Sequence, residues 1–195
     1  MATTFPSPVR VDGARDLAEE LLAGRPERWR HTVGVAARAA RLAPTIGADR
    51  AEVLVAAAWL HDIGYAEAVV DTGFHPLDGA RHVAGRGWPA RICALVAHHS
   101  GACYVAADRG LSGALSRYPR EETPLSDALT YADQTVGPDG RPMAVRDRIA
   151  DMLDRHGPDS PNARMHHLRG PHLLAVADRV EDRLARLTVQ NGQSR

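Results

Sequence analysis

Apolar residues recur along this chain at helical spacing, and no stretch alternates apolar and polar positions for long enough to read as a strand. Leu17, Leu21 and Leu22 mark a first helix over about 12 to 23, which Gly24 and Pro26 break and restart. Pro26 and Glu27 open a second helix, to about Leu42. Asp49 and Glu52 form a capping-box pattern for a third, ending near His61. Its run Val53-Leu-Val-Ala-Ala-Ala-Trp-Leu60 has no polar face, which predicts that it is the central helix. Pro76 begins a helix to about Gly85, and Pro89 another that passes through Ile92, Leu95 and Val96 to His98-His99. Residues 100–123 are Gly-rich and mixed, and read as a broken helix and a loop. Pro124 opens the next helix, and Gly137-Pro-Asp-Gly140 is a strong turn signal. Two amphipathic helices over 143–155 and 171–188 follow, and residues 190–195 are expected to be a disordered tail.

The pattern predicts an all-α, single-domain helical bundle. A chain of 195 residues suffices for one domain with a sizeable core and is short for two. The expected division is an N-terminal helix packing on the core (1–24), a central core (25–137) and C-terminal helices of the same domain (138–189). Lys+Arg and Asp+Glu both number 24, so zero formal net charge argues against a nucleic-acid polymer or an anionic membrane as partner. Every basic residue is Arg, so a cation in any site must be Arg, His or a metal. Cys93 and Cys103 lack the spacing of a zinc or redox motif and read as reduced thiols. No secretory leader pattern and no run of ~18 apolar residues occurs, which predicts a cytoplasmic location without a membrane span.

Against this ordinary background, His61-Asp62 stands out because it closes the unbroken apolar run. A histidine and a carboxylate buried there cost several kcal/mol, or shift in pKa, unless something binds them. A metal ion accounts for both. Two further ligands are available from separate segments: His31 in Arg28-Trp-Arg-His31-Thr-Val-Gly-Val, and Asp133 in Leu129-Thr-Tyr-Ala-Asp133. Neutral imidazoles with carboxylates form a mixed nitrogen and oxygen set suited to divalent Mn, Fe, Co, Ni or Mg.

The order His31, His61-Asp62, Asp133 resembles the signature of the HD-domain superfamily of metal-dependent phosphohydrolases. His61-Asp-Ile-Gly64 matches its HDIG variant, and Arg28-x-x-His31-Thr-x-Gly-Val resembles the superfamily's first core helix. The likeness spans about residues 25 to 137. It implies an all-helical fold with the metal between central helices, and hydrolysis of a phosphate ester or anhydride, usually in a nucleotide. In branches with paired metals two more histidines follow. His75 fits the first. For the second, steps of three from Ile92 and Leu95 favour His98, with His99 as the alternative. The resemblance then implies that Asp62 bridges the ions, with His31, His61 and Asp133 on one and His75 and His98 on the other. One metal, with these histidines as phosphate contacts, remains the alternative.

A cation-held water would be the nucleophile, so no side-chain nucleophile is required. Arg28, one turn before His31, is the candidate for substrate phosphate, with Arg81 a weaker one. Asp71 is a candidate general acid, and a metal-held water another. Many relatives carry Lys where this chain has Tyr65, so the role of that lysine passes to an arginine or is missing. The loop 101–123 is expected to cover the pocket. His82 reads as a surface residue, and His156, His166, His167 and His172 receive no metal role. Three functions are compatible with these residues: hydrolysis of a small phosphorylated substrate, an HD-type di-iron oxygenase, and a non-catalytic nucleotide sensor. The apolar faces of the last two helices suit either a homodimer contact or packing on their own domain.

Overall fold

A computed structural model of the chain describes residues 9–193. The apolar steps coil it into α1 (Val11–Leu22), α2 (Pro26–Leu42), α3 (Ala48–Leu60), α4 (His75–Gly85), α5 (Ala90–His98) and α6 (Ala102–Asp108). The short α7 (Ser112–Leu115) follows, then α8 (Pro124–Gln134), α9 (Val145–His156), α10 (Pro161–Arg164) and the long α11 (His166–Gln193). The fold is all-α, and among the described residues the only extended pairing is an isolated bridge between Val136 and Pro142. No helix among them is long and apolar enough to cross a membrane.

The helix without a polar face lies at the centre. α3 packs against α1, α2, α5 and α8, and Leu54, Ala56, Ala57, Ala58 and Leu60 along it are fully buried. Burial of a leucine such as Leu54 stabilises the fold by roughly 1.5–3 kcal/mol, and the alanines let neighbouring helices approach closely. Proline at the first turn sets the starts of α2 and α8, where its missing N–H costs nothing. Thr123 and Ser126 close a capping box at the start of α8.

The expected capping box of α3 does not form. The helix begins at Ala48 after Gly47, whose φ of 90° is a glycine conformation, and no side chain caps it. Asp49 falls inside the first turn, where its charge still complements the helix dipole. The last helix also starts five residues before the expected Pro171, which lies within it. Buried Arg169 and Gly170 anchor the added turn to the core. The helix continues through Gln193, so the expected tail is helical as far as the described residues extend. Residues 1–8, read above as lacking a leader, lie outside them.

Asp127 of α8 fastens α11 down. Arg179 grips its carboxylate through two nitrogens, at 2.6 and 2.9 Å, and Arg183 adds a contact at 3.0 Å. A two-point Arg–carboxylate grip fixes orientation as well as distance. The turn after Asp62 is pinned differently, by backbone packed on backbone. A Cβ on Gly64 would lie 2.0 Å from the carbonyl oxygen of His75 and 2.8 Å from the amide nitrogen of Gly79. Gly64→Ala should therefore destabilise the protein by roughly 1–3 kcal/mol. It should also displace the start of α4. A lowered thermal midpoint together with reduced metal uptake is the expected result, and an unchanged midpoint would show that the turn can yield.

Candidate metal centre

Helix ends deliver the site. Arg28 and His31 lie on one face of α2, His61 and Asp62 follow the last turn of α3, and His75 is the first residue of α4. His99 occupies the turn after α5, and Asp133 the last turn of α8. Because α2, α3 and α8 pack on one another, three distant segments converge.

Backbone carbonyls orient three of the imidazoles. Nδ1 of His31 donates to the Gly137 oxygen at 3.1 Å, Nδ1 of His61 to Ala58 at 2.7 Å and Nδ1 of His99 to Val96 at 2.7 Å. A carbonyl only accepts, so Nδ1 carries a proton in each ring and Nε2 faces inward, where a metal could take its lone pair. Nε2 of His61 is fully buried without a hydrogen-bond partner. That unspent lone pair is what a cation would use.

The donor atoms fall into two groups, His31 with His61 and Asp133, and Asp62 with His75 and His99, each within 4.8 Å. Asp62 faces both. Its Oδ2 lies 3.8 Å from Nε2 of His31 and 3.6 Å from Nε2 of His61. Its Oδ1 lies 3.4 Å from Nε2 of His75 and 3.9 Å from Nε2 of His99. Such separations suit donors arranged about a shared ion with bonds of ~2.1 Å. The Nε2 atoms of His75 and His99 approach to 3.2 Å, a distance at which His75 can donate to His99 and at which both nitrogens could instead turn lone pairs to a shared cation. The residues present therefore fit one or two divalent ions.

Protonation favours the same outcome. Burial pushes the His61 imidazole below its ordinary pKa, and desolvation does the same for His75 more strongly. Burial opposes ionisation of Asp62, but His61, Arg28, His75 and His31 outweigh it and hold the carboxyl below the usual range. Asp133 is likewise held ionised against its burial, chiefly by His31, whose Nε2 lies 3.0 Å from its Oδ1. Its other oxygen accepts from Ser100 Oγ and from Gln134 Nε2, the latter at 2.9 Å.

Ser100 sits in a left-handed conformation, with φ of 52°, which is strained for a residue with a Cβ. Its N–H donates to Thr130 Oγ1 at 3.2 Å, and its carbonyl accepts from Arg169 at 2.9 Å. This turn corrects one expectation. α5 ends at His98, whose Nε2 donates to the Tyr118 carbonyl at 2.7 Å outside the cluster, and His99 turns inward instead. Steps of four from Leu95 and seven from Ile92 point to His99 as well as steps of three point to His98, and the break in the helix decides between them.

Asp71 and Arg81 are corrected too. They pair with each other on the surface, and neither lines the cavity beside the metal-binding groups. The main chain at Asp71 instead donates to buried Asp78, which also collects the N–H groups of Thr72 and Gly73. Arg28 does enter the cavity, with Nη1 on Asp62 Oδ2 at 3.1 Å and its guanidinium 4.1 Å over the Tyr65 ring. Tyr65 in turn stacks on His75 at 4.0 Å. Burial, with Asp62 adding to it, pushes the Tyr65 hydroxyl up to about 12, and it stays protonated. The cavity, of about 270 Å³, is walled by Phe74, Val105 and Met152 and by Ser160 and Asn162 near α10. Of the segment expected to cover it, Ala102 and Val105 of α6 and Arg109 just after that helix reach it, while α9 and α10 form a wall that periodicity gave no means of placing.

The family model for the HD domain matches residues 28–159. Comparison with curated proteins and with solved structures gave no match. The chain belongs to the HD-domain family, within the superfamily of metal-dependent phosphohydrolases. If both groups bind ions, His99→Ala should lose about one metal equivalent of about two, and His98→Ala none, since ligand loss lowers affinity at its own ion first. Metal analysis of the purified variants checks this. Equal losses from the two would refute the assignment.

Proposed function

We infer that this protein is a metal-dependent phosphohydrolase that cleaves a phosphate ester or anhydride of a nucleotide or other small phosphorylated metabolite. One observation carries the reading: the carboxylate of Asp62 turns one oxygen to each of two histidine-rich groups at the floor of a cavity that also holds Arg28. His31, His61 and Asp133 would hold one divalent ion, His75 and His99 the other, and Asp62 would bridge them. When bound, such ions activate water and neutralise charge on phosphoryl oxygens.

The chain's own residues supply the rest. Arg28 steadies Asp62 and, from the cavity wall, offers its fork to a phosphate oxygen. Tyr65 holds Arg28 and His75 against its ring and keeps a proton that it can donate within the cavity. Gln134 and Ser100 orient Asp133 for its ion. The apolar stretch of wall excludes water from the rest of the substrate.

The four imidazoles also suit iron, which keeps a di-iron oxygenase as the second reading. Phosphate release should be screened over nucleotides and sugar phosphates with Mn, Co, Ni, Fe and Mg, beside iron content and oxygen uptake. Metal-dependent release that Asp62→Ala abolishes in a folded protein is the expected outcome. Oxygen uptake by an iron-loaded protein without phosphate release would establish the oxygenase, and tight nucleotide binding without turnover would establish a sensor.

A further inference from the structure

Arg169 lies on α11, ten residues beyond the end of the family match at 159. It is 7% exposed, yet it lines the cavity together with Arg28, Asp62, His75, His99 and Asp133. Its Nε donates to the Ser100 carbonyl at 2.9 Å, while Nη1 is buried with no hydrogen-bond partner. Asp133 is the carboxylate whose charge it feels, and that group is already engaged by His31, Ser100 and Gln134.

A guanidinium cannot shed its charge, and a buried one with a donor unused is costly unless an anion completes it. Among the described residues no side chain does so. The cavity repeats this imbalance at its rim. Arg109 gives its Nη atoms to the carbonyls of Gly73 and Thr72, at 2.8 and 3.0 Å, and these are not charged partners. Of the three arginines lining the cavity, Arg28 is thus the one that a carboxylate neutralises, through Asp62.

We propose that Arg169 is a phosphate-binding residue, its guanidinium meeting a non-bridging oxygen of the substrate's phosphoryl group, and that the substrate is a small phosphate monoester. The monoester follows from charge and size. Unneutralised guanidinium groups favour a dianion over the monoanion of a diester, and a cavity of about 270 Å³ is at the small end of ligand pockets. The organic part would lie along Phe74, Val105 and Met152. The substrate class rests on the phosphohydrolase reading, whereas anion binding by Arg169 stands on its own geometry.

The test titrates metal-loaded protein calorimetrically with inorganic phosphate and, separately, with dimethyl phosphate. Arg169→Gln keeps a donor for Ser100 and removes the charge. It should weaken phosphate binding roughly ten- to a hundredfold while metal content and thermal midpoint hold. Arg169→Lys, which keeps a charge but not the fork, should fall between and carries the test if the glutamine variant does not fold. Wild type should bind dimethyl phosphate more weakly than phosphate. Unchanged phosphate affinity in Arg169→Gln, or a loss that only tracks lost metal or lost stability, would make Arg169 a strut for the Ser100 turn and overturn the proposal. Equal affinity for the two anions would overturn the monoester. Absence of phosphate binding in a wild type that still hydrolyses substrates would refute Arg169 alone. An Arg169-dependent phosphate site without turnover would refute the hydrolase reading alone.

Discussion

Three backbone carbonyls, of Ala58, Val96 and Gly137, govern the centre of this molecule by claiming the Nδ1 protons of His61, His99 and His31. Gly137 sits in the turn after α8 and also accepts from the Gly140 N–H at 3.0 Å, whereas at Ala58 and Val96 the end of a helix leaves the carbonyl free of the usual i to i+4 bond. Using it on an imidazole removes one unsatisfied acceptor and fixes the tautomer in the same step. The Nε2 atoms then face one another and two ionised carboxylates. Without a cation, the arrangement leaves an unpartnered buried nitrogen on His61.

Most of the remaining architecture keeps those helix ends in place. α3 is apolar on all sides and so is held from every direction, which makes its C-terminal end a rigid platform for the dyad. The close approach of Gly64 to His75 sets the spacing between Asp62 and the second group. The strain at Ser100 is held by three hydrogen bonds through its N–H, hydroxyl and carbonyl, and it turns His99 inward rather than letting α5 run on. Asp127, with Arg179 and Arg183, fixes α11 and so sets the position of Arg169.

Periodicity was enough to place the helices, because helix-period burial and proline at first turns are local signals. The His61-Asp62 pair closing an apolar run, together with the resemblance to the HD-domain superfamily, was enough to single out His31, His61, Asp62, His75 and Asp133 as residues the fold brings together. Periodicity failed where the answer lay in where a helix stops. His98 and His99 have equally good phase relations to the apolar face of α5, and only the left-handed turn at Ser100 separates them. Asp71 sits close in sequence to His75 and could be taken for a site acid, but the clasp of its loop by Asp78 turns the carboxylate outward to Arg81. Arg169 gave no sequence signal, since it falls before the helix start expected at Pro171 and a lone arginine there reads as surface. A bend in the chain after α9 folds that helix back over the cavity, and no spacing rule carries that information.

The central claim is that two ions share Asp62. Crystals of protein loaded with manganese would give this directly through the anomalous signal of the metal. The account predicts two peaks, one among His31, His61 and Asp133 and one between His75 and His99, with an oxygen of Asp62 reaching each. A single peak remote from Asp62, or manganese held only by surface carboxylates such as Asp151, would contradict it.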